Sequence, residues 1–183
     1  AETERDLART VNALSPGAIA RACEAAGSAL INISTDYVFD GAKSTPYVEQ
    51  DEVKPLGIYG HSKEAGEEEV RRKQHCHIIL RTAWVYGRFG KNFLKTMMTL
   101  ASTRDSWGVV DDQIGTPTAT EDIAQAVLCA ADRAAAADAR WGTYHFAGLG
   151  ETSRHGFASA IVALQAPYTG RVPKVNVTNS ATL

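Results

Sequence analysis

Residues 29–35 read A-L-I-N-I-S-T, a short apolar run closed by hydroxyl residues, and residues 78–82, I-I-L-R-T, repeat the pattern. Runs this short and this apolar suit strands buried on both faces of a parallel sheet. Between them, the stretch from about Tyr59 to Lys73 predicts a helix. It carries Glu67/Arg71, Glu68/Arg72 and Glu69/Lys73, each with the acid four residues ahead of the base, the favourable order. Such a charge run predicts a solvated outer face. Strand, helix and strand in succession argue for a layered α/β fold with a mostly parallel sheet.

The same alternation extends both ways. Residues 3–27 place Leu7, Val11, Leu14, Ala18, Ile19, Ala22, Cys23 and Ala26 at helical spacing, with a kink or fresh start expected at Ser15-Pro16 and an end at Gly27. Downstream, helices are expected near 91–103, 120–133 and 154–165, strands at 143–147 and 172–177, and an Asp-, Gly- and Pro-rich loop at 109–118.

Composition bounds the function. The 183 residues are 44% apolar and 22% charged, values of an ordinary globular domain. A net charge of −2 gives no basic footprint for nucleic acid, and no window reaches the length of a membrane span. Cys23, Cys76 and Cys129 are odd in number and widely spaced, which suits free thiols in a reducing, cytoplasmic setting better than a disulfide frame.

In open parallel sheets, ligands bind beyond the carboxyl ends of the strands. Ser34, Thr35 and Asp36 follow the first run, Tyr59 and Lys63 open the helix after it, and Trp84 and Tyr86 follow the second run. A Tyr and a Lys four apart share one helix face, about 6 Å apart along the axis. Free tyrosine, with a pKa of about 10, gives up its proton poorly near neutrality. A neighbouring ammonium favours the phenolate, which would make the phenol a usable acid towards an alkoxide formed by hydride addition. A hydroxyl such as Thr35 could orient the reacting carbonyl. Spacing alone leaves this open against two ordinary surface residues at a helix start.

Other motifs are weaker. G-L-G-E-T-S at 148–153 has Ser153 where a dinucleotide fingerprint needs glycine, so a turn with Thr152 or Ser153 as helix cap is expected. His75-Cys76-His77 has no second cluster to complete a metal site, and no metal is expected. T-P-T-A-T-E at 116–121 offers a capping box of Thr118 with Glu121.

With S-T-D-Y-V-F-D-G at 34–41, Y-G-H-S-K at 59–63, R-T-A-W-V-Y-G at 81–87, N-F at 92–93 and D-Q-I-G-T-P-T at 112–118 in this order, the sequence resembles the dTDP-4-dehydrorhamnose reductase family, within the extended short-chain dehydrogenases/reductases. The resemblance runs from about residue 1 to 165. It implies a partial Rossmann-like, doubly wound parallel sheet. Residues 1–88 would be the second half of the NADP-binding domain, and 89–183 a smaller, mixed C-terminal part contributing to substrate binding. It implies NADPH or NADH as cofactor and reduction of the 4-keto group of dTDP-4-dehydro-β-L-rhamnose to dTDP-L-rhamnose. Tyr59 would be the catalytic acid, Lys63 would hold the nicotinamide ribose and lower the tyrosine pKa, and Thr35 would polarise the ketone. Ser34 joins Tyr59 and Lys63 on the cofactor side, while Thr35, Asp36, Trp84 and Asn92 would meet the dTDP-sugar. Asn12 matches an asparagine that props up a proton-relay water. A homodimer is left open.

Gly57 stands where the family commonly has Asn, and Arg154 where it commonly has an aromatic. The family's opening strand, glycine-rich turn and helix, and its closing Arg-Pro segment, are not among these residues, so an internal piece is expected. Two relatives of the same fold share much of the pattern: the non-catalytic regulatory β subunit of methionine adenosyltransferase, and nucleotide-sugar epimerases or dehydratases. Trp84 and Thr35 favour the reductase over the regulatory subunit.

Overall fold

The computed structural model describes residues 1–136 and 138–182. In chain order the elements are α1 (Arg5–Arg9), a π-helical turn (Thr10–Leu14), α2 (Ser15–Ala25), β1 (Leu30–Thr35), a 3-10 turn (Asp36–Val38), α3 (Ile58–Lys73), β2 (His77–Thr82), β3 (Val85–Tyr86), α4 (Phe93–Thr103), β4 (Ser106–Val110), β5 (Ile114–Gly115), β6 (Thr118–Ala119), α5 (Thr120–Ala134), β7 (Gly142–His145), β8 (Thr152–Ser153), α6 (Arg154–Thr169) and β9 (Lys174–Thr178). They form two compact units, Ala1–Thr82 with Gln125–Phe146, and Ala83–Ala124 with the residues from Ala147 onward. Residues 125–146 thus pack with the first unit.

The first unit is built on a parallel sheet ordered β1-β2-β7, the α/β, Rossmann-like arrangement expected. All six residues of β2 are buried, as its apolar run requires. Leu30 pairs with His77 and the register continues to Thr35 opposite Thr82, so hydroxyl residues reach the carboxyl edge side by side. One face of the sheet packs Leu30 and Ile79 against Ala20 of α2 and Val70 of α3.

Helix α3 approaches its neighbours at backbone distance. A Cβ on Gly60 would lie 2.2 Å from the Tyr37 carbonyl oxygen, and one on Gly66 would lie 2.0 Å from that of Asn12. Glycine is the residue that fits at either position.

The first helical segment restarts at Ser15 with Pro16 in the first turn, as expected, and Gly27 adopts φ 64 after it. Its buried stripe is a different one from the apolar stripe in the sequence. The π turn inserts one extra residue, so Ala8, Ala13, Gly17 and Ala20 share the inner face, while Leu7, Val11, Leu14 and Ile19 stay about half exposed. Small residues are selected there because α3 lies so close.

The charge run of α3 is also only partly solvated. Glu67 is 0% exposed and meets Arg81 of β2, itself 4% exposed, through Nε at 2.9 Å and Nη2 at 2.6 Å. Arg71 adds a third donor to Glu67 at 2.8 Å, and Lys73 pairs with Glu69 as expected. Arg72 pairs with Glu69, three residues away, instead of Glu68. Glu67 belongs to the inner face because a buried guanidinium lies beneath it.

In the second unit, Met97 and Ala101 of α4 and Ala158, Ile161 and Val162 of α6 enclose Trp107 and Val109 of β4. Strand β4 pairs in parallel with β9, and β5 pairs antiparallel with β8. The sequence predicts a loop from 109, but S-W-G-V-V forms a strand whose Trp107 and Val109 turn into this core, while Val110 is buried outside it. The capping box at 118–121 is not formed. Thr118 is fully buried in β6, donates to the Thr116 carbonyl and accepts from the Gly148 amide. Ser153 does cap α6, accepting from the Gly156 amide at 2.9 Å.

Candidate functional site

At the carboxyl edge of β1 the chain turns through Asp36–Val38, and α3 begins twenty residues later against that turn. Thr35 is buried. Its hydroxyl donates to the Asp36 carboxylate at 3.0 Å and accepts from the Tyr37 amide at 3.2 Å, which fixes both the turn and the hydroxyl. Tyr59 is 38% exposed, and its ring meets that of Tyr37 edge-on with centroids 5.8 Å apart. Thr35, Asp36, Tyr59 and Lys63 thus come from one strand–helix connection, as the sequence suggested.

Burial pushes the Tyr59 phenol above its ordinary value, a hydrogen bond with Thr35 pulls it back, and the charge of Asp36 pushes it further up. This corrects the expectation that Lys63 would lower it. The Lys63 ammonium instead donates to the Ile33 carbonyl at 2.7 Å, and burial drives its own pKa down against the opposing charge of Glu67. The lysine side chain spans from α3 back to the β1 backbone and is held there.

Two buried hydroxyls at the same edge, Ser34 Oγ and Thr82 Oγ1, have no hydrogen-bond partner among the described residues. Buried polar atoms are rarely left so, and a hydroxyl at this edge of a parallel sheet fits a ligand group.

Asn12 lies in the π turn. Its side-chain amide donates to Ser62 Oγ at 3.0 Å, and Ser62 donates to the Tyr59 carbonyl at 2.8 Å. At the other end of the same turn of α3, Glu2 accepts from the Ile58 and Tyr59 amides, each at 3.1 Å. Sequence reasoning missed Glu2, Tyr37, Ser62 and Thr82. Of these, only Thr82 carried a signal, being a hydroxyl at a strand end like Thr35.

The second unit holds Trp84 and Asn92. Trp84 takes φ 44, a left-handed conformation costly for a bulky residue. Its indole lies on Gly115, where a Cβ would come within 2.4 Å of Cε2, and the Arg154 guanidinium stacks 3.7 Å from the ring centroid. Arg154, the departure from the family's usual aromatic, keeps a planar group on that indole. Asn92 caps α4: Oδ1 accepts from the Lys95 amide at 3.1 Å and Nδ2 donates to the Gly87 carbonyl at 2.7 Å.

A parallel α/β sheet with a threonine, a tyrosine and a lysine on one strand–helix connection defines a Rossmann-like domain of the short-chain dehydrogenase/reductase type. The chain belongs to the family described as the RmlD substrate binding domain, whose pattern matches residues 1–182. It is 44% identical over 184 residues to a dTDP-4-dehydrorhamnose reductase of Sinorhizobium fredii, covering 99% of this chain and 62% of that protein. Identity to the Burkholderia thailandensis reductase is 42% over 177 residues, 94% of this chain and 59% of the relative. Among solved structures, a Clostridium acetobutylicum dTDP-4-dehydrorhamnose reductase superimposes with a TM-score of 0.90 at 40% identity, covering 100% of this chain and 61% of that one. The Bacillus anthracis reductase, solved in complex with NADP, gives 0.90 at 37% identity, covering 100% and 62%. The chain spans about three fifths of the length of these relatives. No helix among the described residues is long and apolar enough to cross a membrane.

Proposed function

We propose that the protein to which this chain belongs reduces the 4-keto group of dTDP-4-dehydro-β-L-rhamnose, giving dTDP-L-rhamnose, with NADPH or NADH as reductant. The observation that carries this is the fixed cluster of Thr35, Tyr59 and Lys63 at the sheet's carboxyl edge, in a chain of this family. Residues of the first unit hold the cofactor, with Ser34 and Lys63 on the ribose side, and Trp84 in the second unit contacts the sugar nucleotide. The nicotinamide, when bound, supplies hydride to the carbonyl carbon. The chain's part is to orient the ketone and to deliver a proton to its oxygen.

Tyr59 is that proton donor. A phenol held above its ordinary pKa by burial stays protonated throughout the neutral range, so the proton is present when the alkoxide forms. An alkoxide is far more basic than a phenolate, and transfer runs downhill. Lys63, with one of its three hydrogens on the Ile33 carbonyl, retains donors for a ribose diol. Thr35 donates to Asp36 in this structure, so orienting the ketone requires its hydrogen to turn from that carboxylate to the substrate. Asn92, engaged at both ends of its amide, acts by shaping the 87–92 loop that it ties to α4.

The test is consumption of NADPH or NADH by the complete protein given dTDP-4-dehydro-L-rhamnose, with dTDP-L-rhamnose as product. An epimerase or dehydratase keeps its nicotinamide and shows no net oxidation. A regulatory subunit shows no turnover and co-purifies with an adenosyltransferase. Either result overturns the proposal.

A further inference from the structure

We propose that Glu2 is the N-terminal cap of α3 and, through it, a positioning residue for Tyr59; the catalytic half of this rests on Tyr59 being the proton donor. The residue before the helix, Gly57, has the extended backbone of a cap position, φ −113 and ψ 166, but no side chain with which to cap. The first amides of any helix lack intrahelical acceptors. Here the amides of Ile58 and Tyr59 donate to the two oxygens of the Glu2 carboxylate, each at 3.1 Å, from 56 and 57 residues away in the chain. An anion at a helix N-terminus is further favoured by the aligned peptide dipoles. Those two hydrogen bonds, from Tyr59 first and Ile58 second, hold the Glu2 carboxyl below its ordinary range.

The local and the distant cap exclude one another. A Cβ at position 57 would lie 3.1 Å from Glu2 Oε1, so the carboxylate occupies the space a capping side chain would fill. Glycine at 57 and glutamate at 2 therefore act as one device. Its effect on Tyr59 is direct, because the amide that Glu2 fixes is that of Tyr59 itself. The Tyr59 carbonyl is fixed separately by Ser62, which Asn12 holds in turn. The peptide groups on either side of the phenol-bearing carbon are thus both tied to the segment that precedes and includes the π turn. Glu2 does not figure among the charges acting on the phenol, so it works through the backbone.

The experiment compares Glu2→Ala, Glu2→Ala/Gly57→Asp and Tyr59→Phe in the complete protein. The readouts are amide hydrogen exchange at Ile58 and Tyr59 without substrate, and kcat and KM with substrate. Glu2→Ala should remove protection at both amides and lower kcat about fivefold, the rate equivalent of one lost cap, with KM within about twofold. The aspartate at 57 should restore both protection and kcat, which a general loss of packing would not allow. Unchanged exchange in Glu2→Ala overturns the cap. Restored exchange without restored kcat overturns the positioning role. Normal turnover in Tyr59→Phe strikes the catalytic assignment alone, since amide protection is read without substrate.

Discussion

Arg81→Met in the complete protein should be one of the most damaging single changes in the first unit. Arg81 gives Glu67 three short contacts, at 2.6, 2.9 and 3.2 Å, and Glu67 has no solvent exposure. Removing the guanidinium leaves a buried carboxylate with Arg71, at 2.8 Å and partly solvated, as its remaining ion-paired partner. Breaking a buried pair from one side costs about 3–5 kcal/mol, and the surviving Arg71 contact sets the expectation at the lower end, about 3 kcal/mol. At roughly 2–4 °C per kcal/mol, Tm should fall by about 6–12 °C. The double variant Glu67→Met/Arg81→Met removes both charges and should recover at least about half of that loss. Urea unfolding followed by tryptophan fluorescence gives both values. A loss below about 1 kcal/mol in Arg81→Met, or a double variant less stable than the single, would refute the view that this pair clamps α3 to the sheet.

The Tyr59 phenol, read as the absorbance change lost in Tyr59→Phe, should titrate above its ordinary value of 10. Thr35→Val should raise it further and Asp36→Asn should lower it, because the hydrogen bond and the charge act in opposite directions. Since the folded value lies above the unfolded one, this phenol's contribution to stability is present below pH 10 and lost as pH rises through the folded value; Tyr59→Phe should flatten that alkaline fall in urea midpoints. Glu67→Gln should lower the Lys63 pKa further, towards what burial alone gives, which NMR of the lysine ε-carbon would register, because the Glu67 charge is what opposes burial there. Trp84→Ala should weaken dTDP-sugar binding in calorimetry and leave NADPH binding intact. Equal loss of both ligands with a large drop in Tm would mark Trp84 as a core residue instead.

Much of the α/β layering was legible because its signals are local. The runs at 29–35 and 78–82 are too short and apolar for anything but buried strands, and the helix between them shows its own acid–base spacing. Strand β4 was missed because Asp111, Asp112 and Gly115 just beyond it carry strong turn signals. The inner face of the first helical segment was misread because a π turn shifts the phase by one residue, and no local pattern announces it. Glu67 was taken for a surface charge because its partner, Arg81, comes from another element fourteen residues on. Tyr59, Lys63 and Thr35 were legible as a set through their motifs. The caps and ties that hold them, Glu2 and Ser62, were not, since hydrogen bonds to backbone groups distant in sequence leave no spacing rule to read.

The most direct test of the account is the turnover of Tyr59→Phe in the complete protein with NADPH and dTDP-4-dehydro-L-rhamnose, followed at the nicotinamide absorbance. The substitution keeps the ring and its edge-on contact with Tyr37 while removing the proton. General acid catalysis is worth roughly 10²–10⁴-fold, so kcat should fall by about that factor with the NADPH dissociation constant unchanged. Turnover within about threefold of the parent protein would contradict the assignment of Tyr59 as the proton donor, since general acid catalysis supplies far more than that.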